Sequence, residues 1–465
     1  MIRIIGGGLA GSEAAWQAAR RGVPVRLHEM RPTRATAVHR TDRLAELVCS
    51  NSFRGDKLEN AVGLLKEEMR QLDSLVMRVA DATRVPAGGA LAVDRERFAE
   101  EITAVLEAEP LVEISREEVT EISDSERLSE PLIIATGPLT SEQLSSAITT
   151  FVGRDQLYFF DAISPIVLAE SVNYEKVFRA SRRTRSKPRS ADSSGPACSA
   201  DTEEGDYLNC PMSSEDYRVF YEALSSAENA EVHDFDRTPF FEGCLPIEVM
   251  AHRGVDTLRF GPMKPVGLID PNTGRQPYAV VQLRQDNLAA DHFSLVGFQT
   301  QIKWPEQRRV LRLIPGLEKA EFVRLGMIHR NTYINAPTVL KPTWQTRNRP
   351  DIFFAGQLSG VEGYVESAAS GLAAGINATA LAQGREPLTF PRTTAIGALA
   401  HYVSHADPLN YQPTNIAYGL IPSLDEPARG RRARRQALAR RALTDLKASG
   451  QVAKDRDGKV SAIVS

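Results

Sequence analysis

Hydrophobic periodicity changes twice within the first 29 residues. Met1-Ile2-Arg3-Ile4-Ile5 is a short apolar run of strand type. Ser12 to Arg21 is Ala-rich and helical in character, and Val23-Pro24-Val25-Arg26-Leu27-His28-Glu29 is strand-like again. Gly6-Gly7-Gly8-Leu9-Ala10-Gly11 joins the first run to the second without a spacer, and Gly22 separates the second from the third. The pattern predicts a strand, a tight turn, a helix and a second strand. A polar, basic stretch follows from Met30-Arg31-Pro32 to Asp42. Leu44-Ala45-Glu46-Leu47-Val48 then leads into Cys49-Ser50-Asn51-Ser52-Phe53-Arg54-Gly55, a loop by its Ser, Asn and Gly content. Over 58–82 the residues Leu64, Leu65, Met69, Leu72, Leu75, Val76 and Val79 recur at helical spacing. Ala87-Gly88-Gly89-Ala90 breaks that pattern, and Asp94 through Glu107 reads as another helix. Strand-like runs follow at Leu111–Ile114 and Val119–Ile122.

Two later stretches repeat the strand-then-glycine pattern. Pro131-Leu132-Ile133-Ile134-Ala135-Thr136-Gly137-Pro138 resembles the end of the inserted sheet in the FAD domain of two-dinucleotide flavoproteins, where the chain passes back beside the first Gly-rich turn. Asp351-Ile352-Phe353-Phe354-Ala355-Gly356-Gln357 is followed by Gly360-Val361-Glu362-Gly363-Tyr364 and a small-residue helix from Ser367 to Ala380. Between them lie about two hundred residues richer in aromatic, Pro and β-branched positions: Tyr158-Phe159-Phe160, Phe240-Phe241, Tyr278-Ala279-Val280-Val281 and Phe293-Ser294-Leu295-Val296-Gly297-Phe298. They read as an inserted α+β domain. Ser181 to Asp206, poor in apolar residues and rich in Ser and Arg, cannot bury a core and reads as a mobile loop. The tail from Ile396 begins helical and ends in Arg429, Arg431, Arg432, Arg434, Arg435, Arg440 and Arg441 on a helix.

The first turn carries the clearest chemistry. Gly6 permits the turn, Gly8 lets the backbone approach a pyrophosphate, and Gly11 lets helix and strand pack closely. Phosphates would sit on the unpaired N–H groups of the helix N-terminus. Glu29, at the end of the second strand, is placed to accept hydrogen bonds from a ribose diol and would repel a 2′-phosphate, which favours FAD or NAD over NADP. The two later strand–glycine ends then favour FAD, because a simple NAD dehydrogenase does not need the late strand–helix pair. The expected cofactor contacts are Gly6, Gly7, Gly8, Leu9, Ala10, Gly11, Glu29, Thr136, Gly137, Gly356, Gln357, Gly363 and Tyr364. The expected fold is α/β, a Rossmann-like FAD-binding domain of glutathione-reductase type with an inserted α+β domain. Its divisions are 1–150 for the first part of the FAD domain and 151–320 for the insertion. The second part of the FAD domain takes 321–390, and a C-terminal helical segment and tail takes 391–465.

Composition narrows the class further. At 465 residues the chain is too long for one core. Its apolar, charged and aromatic fractions of 42, 25 and 7 % are those of a soluble globular protein. No run approaches the roughly 20 apolar residues of a membrane span. The N-terminus reads as a core strand with no charged leader, so a cytoplasmic location is expected. A net charge of −3 argues against a general polyanion binder but leaves room for local basic patches. HExxH, GxSxG and spaced Cys/His ligand sets are missing, so no metal is expected and the candidate reactive groups are thiols. Cys49 opens its polar loop. Cys244 sits in Phe240-Phe241-Glu242-Gly243-Cys244-Leu245-Pro246-Ile247-Glu248, Cys210 in Asn209-Cys210-Pro211-Met212, and Cys198 in the Ser-rich stretch. Sequence alone does not rank the four by reactivity.

A resemblance ranks them. Gly6–Ala14, Val48-Cys49-Ser50-Asn51-Ser52, Arg84-Val85-Pro86-Ala87-Gly88-Gly89-Ala90-Leu91-Ala92-Val93-Asp94-Arg95 and Tyr207-Leu208-Asn209-Cys210-Pro211-Met212 all carry it. So do Gly261-Pro262-Met263-Lys264-Pro265-Val266-Gly267-Leu268, His329-Arg330-Asn331-Thr332-Tyr333-Ile334-Asn335-Ala336-Pro337 and Gly360-Val361-Glu362-Gly363-Tyr364-Val365-Glu366-Ser367. Together they resemble the folate- and FAD-dependent tRNA uracil-5 methyltransferases (TrmFO) of the GidA/MnmG-related flavoproteins, from Met1 to about Glu426. The stretch around 181–205 departs from that family, and Cys198 within it inherits no role. The resemblance implies methylation of the T-loop uridine of tRNA. Carbon would come from 5,10-methylenetetrahydrofolate and hydride from FADH2, regenerated by NAD(P)H. Uracil C5 becomes nucleophilic once a thiolate adds at C6, and a second group removes the C5 proton. By the resemblance, Cys244 is the nucleophile and Cys49, nearer the flavin, the supporting thiol. Tyr364 would stack on the isoalloxazine or serve as a core aromatic. Lys264, Arg284, His329 and Arg330 would bind folate or RNA phosphate, or form structural ion pairs. The arginines of 429–441 would contact tRNA phosphates or, more in keeping with their place outside the matching blocks, form a solvated face. The rival readings are a GidA/MnmG-type enzyme acting on the wobble uridine, a family with a longer C-terminal helical extension, and an NAD(P)H-dependent FAD oxidoreductase without an RNA substrate. A flavin-bearing binding or scaffold protein is a further one.

Overall fold

The structure is a computed structural model. It describes residues 1–36, 38–122, 130–153, 157–182, 205–230, 245–426 and 429–450, with the backbone alone at 157–161 and 328–330. Cys198, Cys244, Phe240-Phe241 and most of the Ser/Arg-rich stretch lie outside the described residues. The chain divides into two compact units. One comprises Met1–Arg84, Gly89–Phe159 and Arg330–Ser465, and the other Val85–Gly88 and Phe160–His329.

The first unit is built on a five-stranded sheet. Its order is Ile352–Phe354, Leu132–Ile134, β1 (Ile2–Ile5), β2 (Val25–His28) and Val112–Ser115, with every neighbouring pair parallel. β1 lies at the centre, and Ile2, Ile4 and Ile5 are buried, as a parallel strand covered on both faces requires. Helix α1 (Leu9–Arg20) follows the Gly-rich turn and crosses to β2, giving the expected strand–turn–helix–strand. The late helix Tyr364–Ala382 is buried on nearly all sides and packs along α1, which its Ala/Gly composition permits. A methyl group added at Gly371 would lie 2.1 Å from the Ala10 carbonyl oxygen, and one at Gly375 2.8 Å from Ala14 Cα. The two helix backbones are therefore in direct contact at these points.

Two sequence expectations are corrected. The helical pattern over 58–82 is two helices, α2 (Ala61–Gln71) and α3 (Leu75–Ala82). The break lies at Asp73, with φ +56°, and Ser74, whose hydroxyl caps α3 by accepting from Met77 N. Buried Glu13 fixes that break, because its carboxylate accepts from Ser74 Oγ at 2.7 Å and Val76 N at 2.9 Å. The second is Val119–Ile122, which is not a strand. The chain leaves the sheet after Ser115, where Arg116 donates to the Arg31 and Asp42 carbonyls and Glu118 pairs with Arg34.

The second unit holds a six-stranded antiparallel sheet ordered Phe178–Ala180, Tyr207–Met212, Ala279–Gln285, His292–Leu295, Ile166–Leu168 and Phe322–Arg324. Short helices such as Ser214–Ser225 and Trp304–Leu311 accompany it, over a core that includes Phe220, Phe293, Phe298 and Leu317. This is the α+β character expected of the insertion. Among the described residues, no helix is long and apolar enough to cross a membrane.

Candidate functional site

In the first unit three strand ends converge on the N-terminus of α1. Gly6 has φ +104°, and a methyl group there would sit 2.6 Å from the Ala135 carbonyl oxygen and 2.7 Å from Thr136 Cα. The Ala-Thr-Gly end therefore runs against the first turn, as the sequence suggested. At Gly11 an added methyl would lie 1.8 Å from the Gly6 carbonyl oxygen, so only glycine lets α1 start this close to β1. Gly356, with φ +74°, closes the third side: an added methyl would meet Ala10 Cβ at 3.1 Å, and its N–H donates to Ser370 Oγ at 2.7 Å. Gly8 differs from these. It is the N-cap of α1, offers no capping side chain, and has no atom within 4 Å of an added methyl. Space is thus open beside Gly8, at the positive end of the α1 dipole, where the first-turn N–H groups of a helix have no partner within the helix. That cradle fits a dinucleotide pyrophosphate. Leu9 and Ala10 are buried behind it, Gly137 (φ +66°) is open, and Gln357 donates to Glu362 at its edge.

Glu29 stands at the end of β2 beside this turn, with both oxygens already in use. Oε2 accepts from Gly7 N at 3.0 Å, and Oε1 accepts from Arg31 N at 3.0 Å and Arg31 Nε at 2.8 Å. Burial pushes its carboxyl up, but the Arg31 guanidinium and these N–H donors outweigh it and hold it below the usual carboxylate range. A carboxylate has about four acceptor positions, so roughly one remains for a ribose hydroxyl. Arg31 is itself buried and also donates to Glu46 Oε2 and to the Thr41 and Arg43 carbonyls.

The Cys49 loop is tied to the start of the late helix. Cys49 N and Ser50 N donate to the Tyr364 hydroxyl at 2.9 and 3.1 Å, and Cys49 Sγ lies 2.9 Å from the same oxygen. Tyr364 follows Gly363 (φ +104°), and its half-buried ring leans on Phe53 with centroids 5.8 Å apart. Burial, and after it the neighbouring Cys49, raises its phenol well above the ordinary range. The stretch 49–55, expected as a loop throughout, is a loop only to Asn51: Ser52–Gly55 (β3) is a strand that pairs antiparallel with Ala90–Val93, a partner the local composition does not reveal. Arg54, in left-handed backbone with φ +62°, grips both carboxylate oxygens of fully buried Glu366. Lys66 is fully buried, and its ammonium donates to three successive β3 carbonyls, Phe53 at 2.9 Å, Arg54 at 3.2 Å and Gly55 at 2.8 Å. Burial lowers that ammonium to about 8, against the pull of Asp56.

The remaining candidates fall elsewhere. Cys210 is buried within the second unit's sheet, and burial pushes its thiol far up, which makes it an inert core residue. Lys264 is exposed, and Arg284 reaches Ser294 Oγ at 3.5 Å within that sheet. The side chains of His329 and Arg330 lie outside the described set, as does Cys244. The roles of Arg31, Arg54, Lys66 and Glu366 escaped sequence reasoning. Arg31 alone had a local signal, a cation two residues after the strand-terminal acid.

Comparison with known proteins follows the same lines. Residues 1–386 match the family model described as glucose inhibited division protein A. A methylenetetrahydrofolate–tRNA-(uracil-5-)-methyltransferase TrmFO of Pelotomaculum thermopropionicum is 58 % identical over 445 residues, covering 96 % of this chain and 97 % of that one. The protein of the same name from Enterococcus faecalis is 54 % identical over 442 residues, covering 95 % and 97 %. Among solved structures, GidA of Aquifex aeolicus superposes with a TM-score of 0.66 at 18 % identity, over 98 % of this chain and 74 % of that one, a likeness of fold.

Proposed function

The chain belongs to the TrmFO family of methylenetetrahydrofolate–tRNA-(uracil-5-)-methyltransferases, within the glucose inhibited division protein A group, and on that premise we propose that it methylates C5 of the T-loop uridine of tRNA. Methylenetetrahydrofolate is the carbon donor and FAD the resident cofactor in this reading. The observation that carries it is the joining of two features in one unit: a glycine cradle at the α1 N-terminus and a cysteine thiol held by Tyr364 in the third glycine turn.

The chain's residues divide the work. The Gly8 side of the cradle receives the pyrophosphate on the N–H groups of the α1 first turn, and Glu29 offers one acceptor to a ribose hydroxyl. When bound and reduced, FAD supplies the hydride that takes a methylene-level carbon to a methyl group, with NAD(P)H as the outside reductant. The Cys244 thiolate adds at uracil C6, which makes C5 nucleophilic. C5 then bonds to the folate's methylene carbon and the folate C–N bond breaks; loss of the C5 proton, delivery of the hydride to that carbon and departure of the thiolate leave the methylated ring restored. Cys49 is the supporting thiol on the flavin side, set by Tyr364. A cytoplasmic location agrees with these substrates.

The test uses purified protein, unmodified tRNA, labelled methylenetetrahydrofolate and NADH, with the RNA digested afterwards. Label in 5-methyluridine of the T loop is the expected result, and Cys244→Ala should abolish it. NADH oxidation without label in RNA would instead mark a plain FAD oxidoreductase. Label at the wobble position would mark a GidA-type enzyme.

A further inference from the structure

A lysine is almost never fully buried unless a carboxylate pairs it closely, because its ammonium loses its hydration there. Lys66 of α2 is 0 % exposed, and its ion-pair partner, Asp56 Oδ1, stands at 3.7 Å, beyond hydrogen-bond reach. Burial lowers the ammonium to about 8; Asp56 and Glu366 oppose that shift, and Arg70 and Arg54 add to it. A charge kept in so unfavourable a place needs a reason beyond packing.

The reason lies in the strand it grips. β3 is in register with its partner strand at Ser52–Ala92 and again at Gly55–Ala90, so Phe53 and Arg54 together face the single residue Leu91. This is a β-bulge, a device that re-aims side chains. Arg54 takes up the extra residue in left-handed backbone, with φ +62°. Successive carbonyls of a regular strand point to opposite sides. Those of Phe53, Arg54 and Gly55 instead converge on Lys66 Nζ, at 2.9, 3.2 and 2.8 Å. An ammonium has three donors and no acceptor, so its capacity matches these three oxygens. A neutral amine has two N–H groups and would set a lone pair against the third carbonyl.

The bulge in turn ties the Cys49 loop to one helix start at both of its ends. In this backbone Arg54 reaches both carboxylate oxygens of Glu366, which is fully buried and also accepts from Ile416 N at 2.9 Å. Two residues before Glu366, the Tyr364 hydroxyl accepts from Cys49 N and Ser50 N and lies 2.9 Å from Cys49 Sγ. Residues 49–54 are thus closed into a ring across Tyr364 and Glu366, and Lys66 holds its far end.

We propose that Lys66 is a positioning residue for the Cys49 thiol: its ammonium serves as a built-in cation that keeps the β3 bulge in the form that puts Arg54 on Glu366 and Cys49 on Tyr364. Its importance for catalysis rests on the reading of Cys49 as a thiol of the methyl transfer, but its hold on the thiol is measurable without turnover.

The full-length, FAD-loaded protein is alkylated with iodoacetamide across pH, and the Cys49 peptide is quantified by mass spectrometry. Wild type, Lys66→Met, Tyr364→Phe and the double variant form one cycle. Lys66→Met should move the Cys49 midpoint to higher pH, as removal of the Tyr364 donor does, and the double variant should lie no higher than Tyr364→Phe alone. A lysine charge acting on the thiol through space would instead survive Tyr364→Phe. Full addition of the two shifts therefore overturns the proposal, and so does a wild-type midpoint in Lys66→Met. Lys66→Ala gives an independent measure. Methylammonium should return its midpoint toward that of wild type, whereas tetramethylammonium, which has no N–H, should not; equal restoration by both overturns the proposal. Lys66→Gln, whose amide keeps two N–H donors, replaces Lys66→Met in the cycle if melting shows that methionine disturbs the fold. Methyl transfer by the wild type is assayed alongside: its absence with the alkylation cycle intact would refute the reaction and leave the positioning role of Lys66 standing.

Discussion

The Tyr364 hydroxyl shows how one atom sets the state of a thiol. A phenol oxygen has one proton and two acceptor positions. Cys49 N and Ser50 N occupy the acceptors, so the proton is left for Cys49 Sγ at 2.9 Å. A donor aimed at sulfur favours the thiolate. Tyr364→Phe removes that donor and should therefore move ionisation of the Cys49 thiol to higher pH. Alkylation of the Cys49 peptide by iodoacetamide, followed by mass spectrometry across pH, reads this directly. An unchanged midpoint would show that the hydroxyl only packs. None of this was legible in sequence. Cys49 and Tyr364 were both singled out, but they lie 315 residues apart, and no spacing rule joins them.

Elements were more legible than contacts, and the reason is locality. The strand–turn–helix–strand of the first residues follows from period and glycine placement, both local properties. The break between α2 and α3 does not, because Glu13 imposes it from another element. Helix-to-helix closeness is likewise a tertiary fact. Gly371→Ala places a methyl group 2.1 Å from a backbone oxygen of α1, which cannot swing aside. Overpacking of this kind costs about 1–3 kcal/mol or more. The variant should melt at lower temperature and retain less flavin per protein, whereas Gly89→Ala, with no atom within 4 Å, should match wild type. A second element-level prediction concerns Glu68 of α2, whose fully buried carboxylate accepts from Ala395 N at 2.7 Å and Ile396 N at 3.0 Å, the first N–H groups of the helix Ala395–His405. Burial raises this carboxyl from 4.5 to about 8 against those two donors. Between those values the folded chain holds a proton that the unfolded chain has lost, so stability falls as pH rises through that window. Melting temperatures from about pH 5 to pH 8 should show this decline, and Glu68→Gln should flatten it. An equally steep decline in the variant would place its origin elsewhere.

At the scale of the whole molecule, fold class was readable because the two units differ in composition, apolar parallel strands alternating with helices in one and aromatic- and β-branched-rich strands in the other. Charge was the least readable property, because a sum hides its placement. The net charge of −3 says little about RNA, and the seven arginines from Arg429 to Arg441 invited a phosphate-binding reading. Placement in the helix Arg431–Ala448 qualifies that reading. Arg432 pairs with Glu59, Arg435 donates to the Glu59 carbonyl, and Arg441 donates to the carbonyls of Pro422 and Ser423. Three of the seven are thus spent on attaching the helix, whose buried side is Leu438, Ala439, Ala442 and Leu446. Arg429, Arg431, Arg434 and Arg440 are exposed and are left to meet phosphate, and of these Arg431 and Arg434 lie in the first turn of the helix. Each phosphate contact contributes about 0.7–0.9 to the slope of log affinity against log salt. If these two arginines form a solvated face, Arg431→Gln with Arg434→Gln leaves that slope and the tRNA KM of methyl transfer at their wild-type values. If they grip the tRNA, the slope drops by about 1.4–1.8 and the KM rises with it. The expected outcome is the first, since a helix whose neighbouring arginines serve attachment uses its outer charges for solubility; a loss of slope would move the RNA footprint onto this helix.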